Sequence, residues 1–309
     1  MSVRNTIWRL AGGLTGRSRE EKRATVQNAL RDLFQKLETA TQLSFGEGDM
    51  IELDLHFFDP DTELSQPARN QFFRPWPLSK LREHEKNLEI KEAKDRLETM
   101  ESIMEADNLG LPVPVTDGNI WRKLRHISCR LVCEMEVFPR QGTEGNRQPL
   151  TRLTHWRYTD GLPFDEDLRS EFVRVWDYGN KSPRWSCDHS WTLARDKPHV
   201  KLCMYNGVTA DPQHILRGEL LSIVAIMLTR LRMEKLKKHV TIPVMLCSFV
   251  APCSGRILLA HFDGARLVIQ QSPLYPFHVK DDGAMLLFTR YLASDVGPDG
   301  ATKSLESDT

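Results

Sequence analysis

Residues 256–271 read RILLAHFDGARLVIQQ. Two apolar runs flank Asp263-Gly264, a dipeptide favoured in two-residue hairpin turns. Ile257, Leu259 and His261 alternate with Leu258, Ala260 and Phe262, and Leu267, Val268 and Ile269 run back. A third strand-like run, VTIPVMLCSFV (240–250), precedes the hairpin. Ahead of that lies a helical stretch over about 212–238, whose LLSIVAIML segment (220–228) is apolar nearly all round. A helix of that kind belongs in a core, packed against a sheet. Its basic end, RLRMEKLKKH (230–239), suits a helix C-terminus.

The order helix, strand, strand, strand, then a helix over about 281–293, resembles the core of metal-dependent nucleases of the restriction-endonuclease type. Such a core implies an Asp on the second strand and an acid-x-Lys pair on the third. A Glu often stands on the leading helix. These carboxylates hold a hard cation that polarises phosphate and makes hydroxide from water. Here Glu219 falls on the leading helix and Asp263 ends the second strand. Gln270, Gln271 and Ser272 stand where the acid and the lysine belong. An amide brings no charge, so the resemblance is to a degenerate copy and no metal is expected. Residues 212–293 also resemble a group of uncharacterised proteins of filamentous fungi. That resemblance implies a fungal, intracellular origin and carries no catalytic residues with it.

Lysine plus arginine equals aspartate plus glutamate, 42 each. A neutral chain has no overall field to draw it to nucleic acid. None of the six cysteines forms a C-x-x-C pair, and five lie in apolar runs. They read as buried free thiols in a reducing compartment. No segment reaches the ~18 apolar residues of a membrane span. The expected location is therefore cytoplasmic. The arginine-rich, acid-free start MSVRNTIWRLAGGLTGRSR admits a mitochondrial leader as the weaker alternative. Phosphate-binding glycine loops, G-x-S-x-G and H-E-x-x-H are all missing. Dinucleotide, ATP-hydrolysing and serine-hydrolase mechanisms thus have no support.

The fold class expected is α+β, with an antiparallel sheet of about six to eight strands packed on helices. The divisions are a flexible leader (1–17), a mainly helical part (18–110), an α+β core (120–294) and a disordered tail (295–309). Ser18 and Glu21 have capping-box spacing before an apolar stripe at Val26, Leu30, Leu33, Phe34 and Leu37. A strand is expected over 50–58 and a charged helix over 78–107. That helix is a solvated face or a protein-binding arm. ISCRLVCEMEVF (127–138) alternates as a strand, with Glu134 and Glu136 on its polar side. Another strand is expected at 151–159, and a short helix capped by Asp165.

The candidate chemistry centres on RWSCDHSWTL (184–193), paired with HVKLCMY (199–205). Strict alternation puts Trp185, Cys187, His189, Trp191 and Leu193 on one apolar face. A four-residue loop then sets Leu193 opposite Val200, Trp191 opposite Leu202 and His189 opposite Met204. His189 on that face is expected to stay neutral near pH 7 and to serve as a general base or donor, or as a core histidine. His155, Trp156, Arg157 and Tyr158 gather residue types suited to a binding pocket, or to an amphipathic edge strand. Glu52, Asp54 and His56 share a face, most simply a solvated one. The function expected is that of a cofactor-independent enzyme or binding protein for a small apolar metabolite of fungal secondary metabolism. Cyclisation, isomerisation or dehydration needs only orientation and one acid–base group. The alternative is a non-catalytic interaction protein on a degenerate nuclease-like fold.

Overall fold

The computed structural model describes residues 18–46, 48–49, 53–60, 72–106, 117–160, 185–193, 196–277, 282–297 and 301–303. The leader at 1–17, the Asp165 helix and Glu52 lie outside them.

Arg19–Thr39 forms helix α1, with the capping box at Ser18 and Glu21 in place. Short strands follow at Ser44–Phe45 (β1), Leu53–Phe57 (β2) and Phe73–Arg74 (β3). The charged stretch expected as one helix is two, Leu78–Arg82 (α2) and Lys91–Ala106 (α3). Asp117–Glu136 is helix α4. Next come β4 (Trp156–Asp160), β5 (Trp185–Leu193), β6 (Val200–Thr209) and β7 (Ile215–Leu216). Helix α5 spans Arg217–Arg232 and leads to β8 (Val244–Ala251), β9 (Ser254–Phe262), β10 (Leu267–Gln271) and β11 (Tyr275–Pro276). Helix α6 (Gly283–Leu292) and β12 (Asp295–Val296) end the described fold.

The fold is α+β, but its main sheet is mixed rather than antiparallel. The order is β2-β10-β9-β8-β6-β5-β4, with β11 added on β9. β8 lies parallel to β6, and β2 lies parallel to β10. Parallel neighbours need a crossover, and α5 supplies it between β6 and β8. Both faces of the sheet are covered. α1 and α5 share one hydrophobic cluster with it, and α4 and α6 share the other. This explains why β8 is buried at every position. Two described elements before 110 belong to the same body: β2 extends the sheet, and Leu30, Leu33 and Leu37 of α1 join its core. The tail starts ordered: β12 pairs with β3, and Thr302 accepts from the backbone of Val240 and Thr241.

Two expectations are corrected. Residues 127–136 are helix, not strand. Leu124, Ile127, Leu131 and Met135 are fully buried, at helical intervals of three and four. Over a short window their alternation with cysteines satisfies either period. The β9–β10 turn takes four residues, because Phe262 pairs with Leu267. The Asp263 carboxylate accepts from the amides of Ala265 and Arg266 at 2.7 and 2.8 Å, and Gly264 takes φ +104°.

Candidate functional site

Strand β5 does not keep its apolar residues on one face. Its register on β6 shifts between Cys187 and His189, with Asp188 the extra residue of a β-bulge. Before the bulge, Trp185 opposes Asn206 and Cys187 opposes Met204. After it, His189 opposes Cys203, Ser190 opposes Leu202, Trp191 opposes Lys201 and Thr192 opposes Val200. A bulge changes which side the following residues face. Trp185 and Cys187 therefore pack with α1 and α5, and Trp191 and Leu193 pack with α4 and α6. This overturns the expected register and the single five-residue face. The Asp188 carboxylate is held by the hydroxyls of Ser186 and Tyr205.

On the first face Cys187 is buried, and burial pushes its thiol up to about 12. A thiol held there is no nucleophile.

The other face carries the cleft. It has a volume of about 850 Å³ and lies among the end of α4, a 3-10 turn at Leu150–Leu153, β4, the end of β5 and β12. His155, Trp156, Arg157 and Tyr158 all line it, together with Glu136, Thr151, Arg152 and Lys197. Trp156 is buried and donates from Nε1 to the carbonyl of Ser294 at 2.7 Å. Lys201 lies behind it, with Nζ 3.5 Å from the ring centroid. Lys201 is fully buried on β6 and donates to the carbonyls of Leu292 and Ser294 at 2.8 and 3.3 Å. These are the carbonyls left open where α6 ends. Burial holds its amine well below the lysine range.

Tyr158 brings its hydroxyl 2.8 Å from Nδ1 of His189, and its ring lies 5.5 Å from that of Trp191. His189 thus stands behind Tyr158 and does not itself line the cleft. Glu136, the last residue of α4, accepts from Trp191 Nε1 at 2.7 Å and from Thr151 Oγ1 at 2.9 Å. Burial raises its carboxyl above the usual range, against those two bonds and the nearby charge of Arg152. A helix C-terminus also disfavours an anion. Glu136 is the residue that reading 127–138 as a strand concealed. The available signal was two acids at a helix end with no basic residue in the last turn. Glu134 is answered by Arg140 and Lys86. Glu136 faces the cleft instead.

The acids of the nuclease-like resemblance are occupied. Arg256 of β9 reaches both oxygens of Glu219, at 3.0 and 2.5 Å, with both side chains fully buried. The amide of Leu216 also donates to Glu219, and Gln271 accepts from Arg256 at 3.0 Å. Asp263 is committed to its turn. Asp54 and His56 lie 3.4 Å apart on β2, and Arg266 approaches Asp54 at 3.6 Å. Among the described residues no group of three or more His, Cys, Asp or Glu could hold a metal ion. Nor is any helix among them long and apolar enough to cross a membrane.

No protein-family model, curated protein or solved structure matches the chain.

Proposed function

We propose that the chain is a cofactor-independent enzyme or binding protein for a small metabolite, and that the cleft beside Trp156 is its site. One observation carries this reading. A carboxyl with a raised pKa, Glu136, is fixed by Trp191 and Thr151 at the wall of a cleft that Tyr158 also lines. Proton transfer at neutral pH needs a group lifted from its ordinary range and held in one place. Glu136 is the acid–base residue. Tyr158 is a second proton donor, and His189 is a positioning residue that orients its hydroxyl. Trp156, Leu193 and Val296 give an apolar wall for the body of the ligand. Cyclisation, isomerisation or dehydration fits this equipment. A fungal origin rests on the resemblance of residues 212–293, and a cytoplasmic location on six free cysteines.

Native mass spectrometry after incubation with a fungal metabolite extract tests the proposal. A stoichiometric adduct or a changed extract, lost or reduced with Glu136→Gln, is the expected result. An unaltered apo mass with an unchanged extract overturns it.

A second reading, a non-catalytic interaction protein on a degenerate nuclease-like core, has its own support. Arg256 neutralises Glu219, and a groove of about 330 Å³ runs between α2 and α6, lined by Leu81, Leu88, Met285 and Leu286. Leu88 and Leu286 are both 38% exposed. Cross-linking in cell extract, compared between wild type and Leu286→Glu, distinguishes it.

A further inference from the structure

We infer that two copies of this chain pair along β2, continuing the main sheet across a two-fold axis at Leu55. β2 and the cleft strand β4 are opposite ends of that sheet. β2 has β10 on its inner side and, among the described residues, no strand on its outer side. The amide of Phe58 donates to the carbonyl of Gln271 on β10 at 3.0 Å. Backbone groups alternate sides along a strand, so Asp54 and His56 also turn theirs to β10. Leu53, Leu55 and Phe57 turn theirs outward. An open edge of this kind is a template for another strand.

Short charged edges commonly stay in water, so an open edge alone says nothing. What singles out β2 is that its residues, LDLHF, complement their own reverse. Antiparallel pairing about Leu55 sets Leu55 against its own copy and Leu53 against the partner's Phe57. These are the outward residues, so each pair exchanges two hydrogen bonds. Asp54 then stands opposite the partner's His56, twice by symmetry, where side chains approach most closely. Centring on Asp54 would oppose two carboxylates, and centring on His56 would oppose two imidazoles. Each of those registers also pairs fewer residues of β2.

The side chains fit the same pairing. Leu53 and Leu55 are buried in the cluster that α1 and α5 share. Phe57 alternates to the same face and is 53% exposed, more than any other large apolar residue described. Beside the partner's Leu53 its ring loses that exposure, which favours association. On the opposite face Asp54 meets His56 at 3.4 Å and Arg266 at 3.6 Å within one chain. All three side chains stay partly exposed. A carboxylate accepts at about four lone-pair sites, so a second imidazole can join. Such an isologous contact closes as a two-fold dimer, because each copy has only one β2 edge.

Sedimentation equilibrium of the full chain at micromolar concentrations tests the inference. A reversible dimer, twice the mass of one chain, is the expected result. Asp54→Lys and His56→Glu should each raise its dissociation constant about tenfold, since each breaks both symmetric pairs. The double variant Asp54→Lys/His56→Glu exchanges the two charges and should restore the dimer. Phe57→Pro removes an outward amide and an exposed ring without touching the β10 ladder. It should abolish the dimer and leave Tm nearly unchanged. A chain that stays monomeric overturns the inference. So does a dimer that is indifferent to these variants, or one that the double variant fails to rescue.

Discussion

The guanidinium of Arg256 and the carboxylate of Glu219 form a two-pronged ion pair from which water is wholly excluded. The pair joins β9 to the first turn of α5. Gln271 of β10 and the carbonyls of His214 and Asp211 accept from its Nη1. A buried pair contributes little net stability, but breaking it strands a charge. Arg256→Leu should therefore cost roughly 3–5 kcal/mol. Arg256→Leu combined with Glu219→Leu should recover most of that loss. Urea unfolding of the three proteins checks this. A double variant as unstable as the single one would show that packing, rather than charge, holds the corner.

Glu136 should govern both activity and a pH effect. If it transfers the proton, Glu136→Gln should lower turnover of the ligand found in the extract by ~10²–10⁴. Tyr158→Phe should have a smaller effect, and His189→Asn should shift the pH profile more than it shifts KM. The stability effect has a definite sign. The folded carboxyl has a raised pKa, so its contribution is full below the ordinary glutamate range near 4.5. It is lost as pH rises through the higher folded value. Because His199 and His239 act in the opposite sense, the effect is read as a difference: in thermal melts from pH 4 to 8 the Tm of wild type relative to Glu136→Gln should fall as pH rises.

His199 should make the protein acid-sensitive. It is 4% exposed, packed edge-on against Phe73 at 5.6 Å. Burial first, then Arg230, His239, Lys197 and Lys201, depress it from 6.5 to about 3. The unfolded chain takes up this proton below pH 6.5 and the folded chain does not. Stability should thus fall as pH drops from about 6.5 towards about 3, by as much as roughly 5 kcal/mol. His239, also lowered by burial, acts in the same direction. His199→Leu should flatten the slope in urea titrations over that range. An unchanged slope would mean that other groups carry it.

Gly218 should resist substitution although it lies in a helix. A Cβ there would meet the Trp185 ring at 2.8 and 2.9 Å, and Trp185 is itself fully buried. Gly→Ala in a helix ordinarily gains ~0.5–1 kcal/mol. Overpacking a rigid ring costs ~1–3 kcal/mol, so the net effect should be destabilising. A Tm drop for Gly218→Ala, relieved by Trp185→Phe, is the expected result.

Local chemistry was enough to place several elements. Ser18 and Glu21 cap α1 through side chains three residues apart. The unbroken apolar run of α5 could only be interior, and Asp263-Gly264 could only turn the chain. The two runs flanking that turn are β9 and β10. His155, Trp156, Arg157 and Tyr158 drew attention by residue type, and they line one cleft.

What depended on distant neighbours was decided by packing. Residues 127–136 satisfy the strand and helix periods alike until α4 lies on β6 and chooses one. The Asp188 bulge is a property of two strands together, and it alone separates Trp185 and Cys187 from His189 and Trp191. The parallel pairing of β6 and β8 follows from α5 crossing between them. Glu136 has the same covalent structure as any surface glutamate. Its raised carboxyl, and with it the proposed chemistry, comes from burial, which outweighs the opposing hydrogen bond from Trp191, 55 residues along the chain. Periodicity and turn residues act within a few positions. Register, facing and solvation are set by contacts that exist only once the sheet has closed.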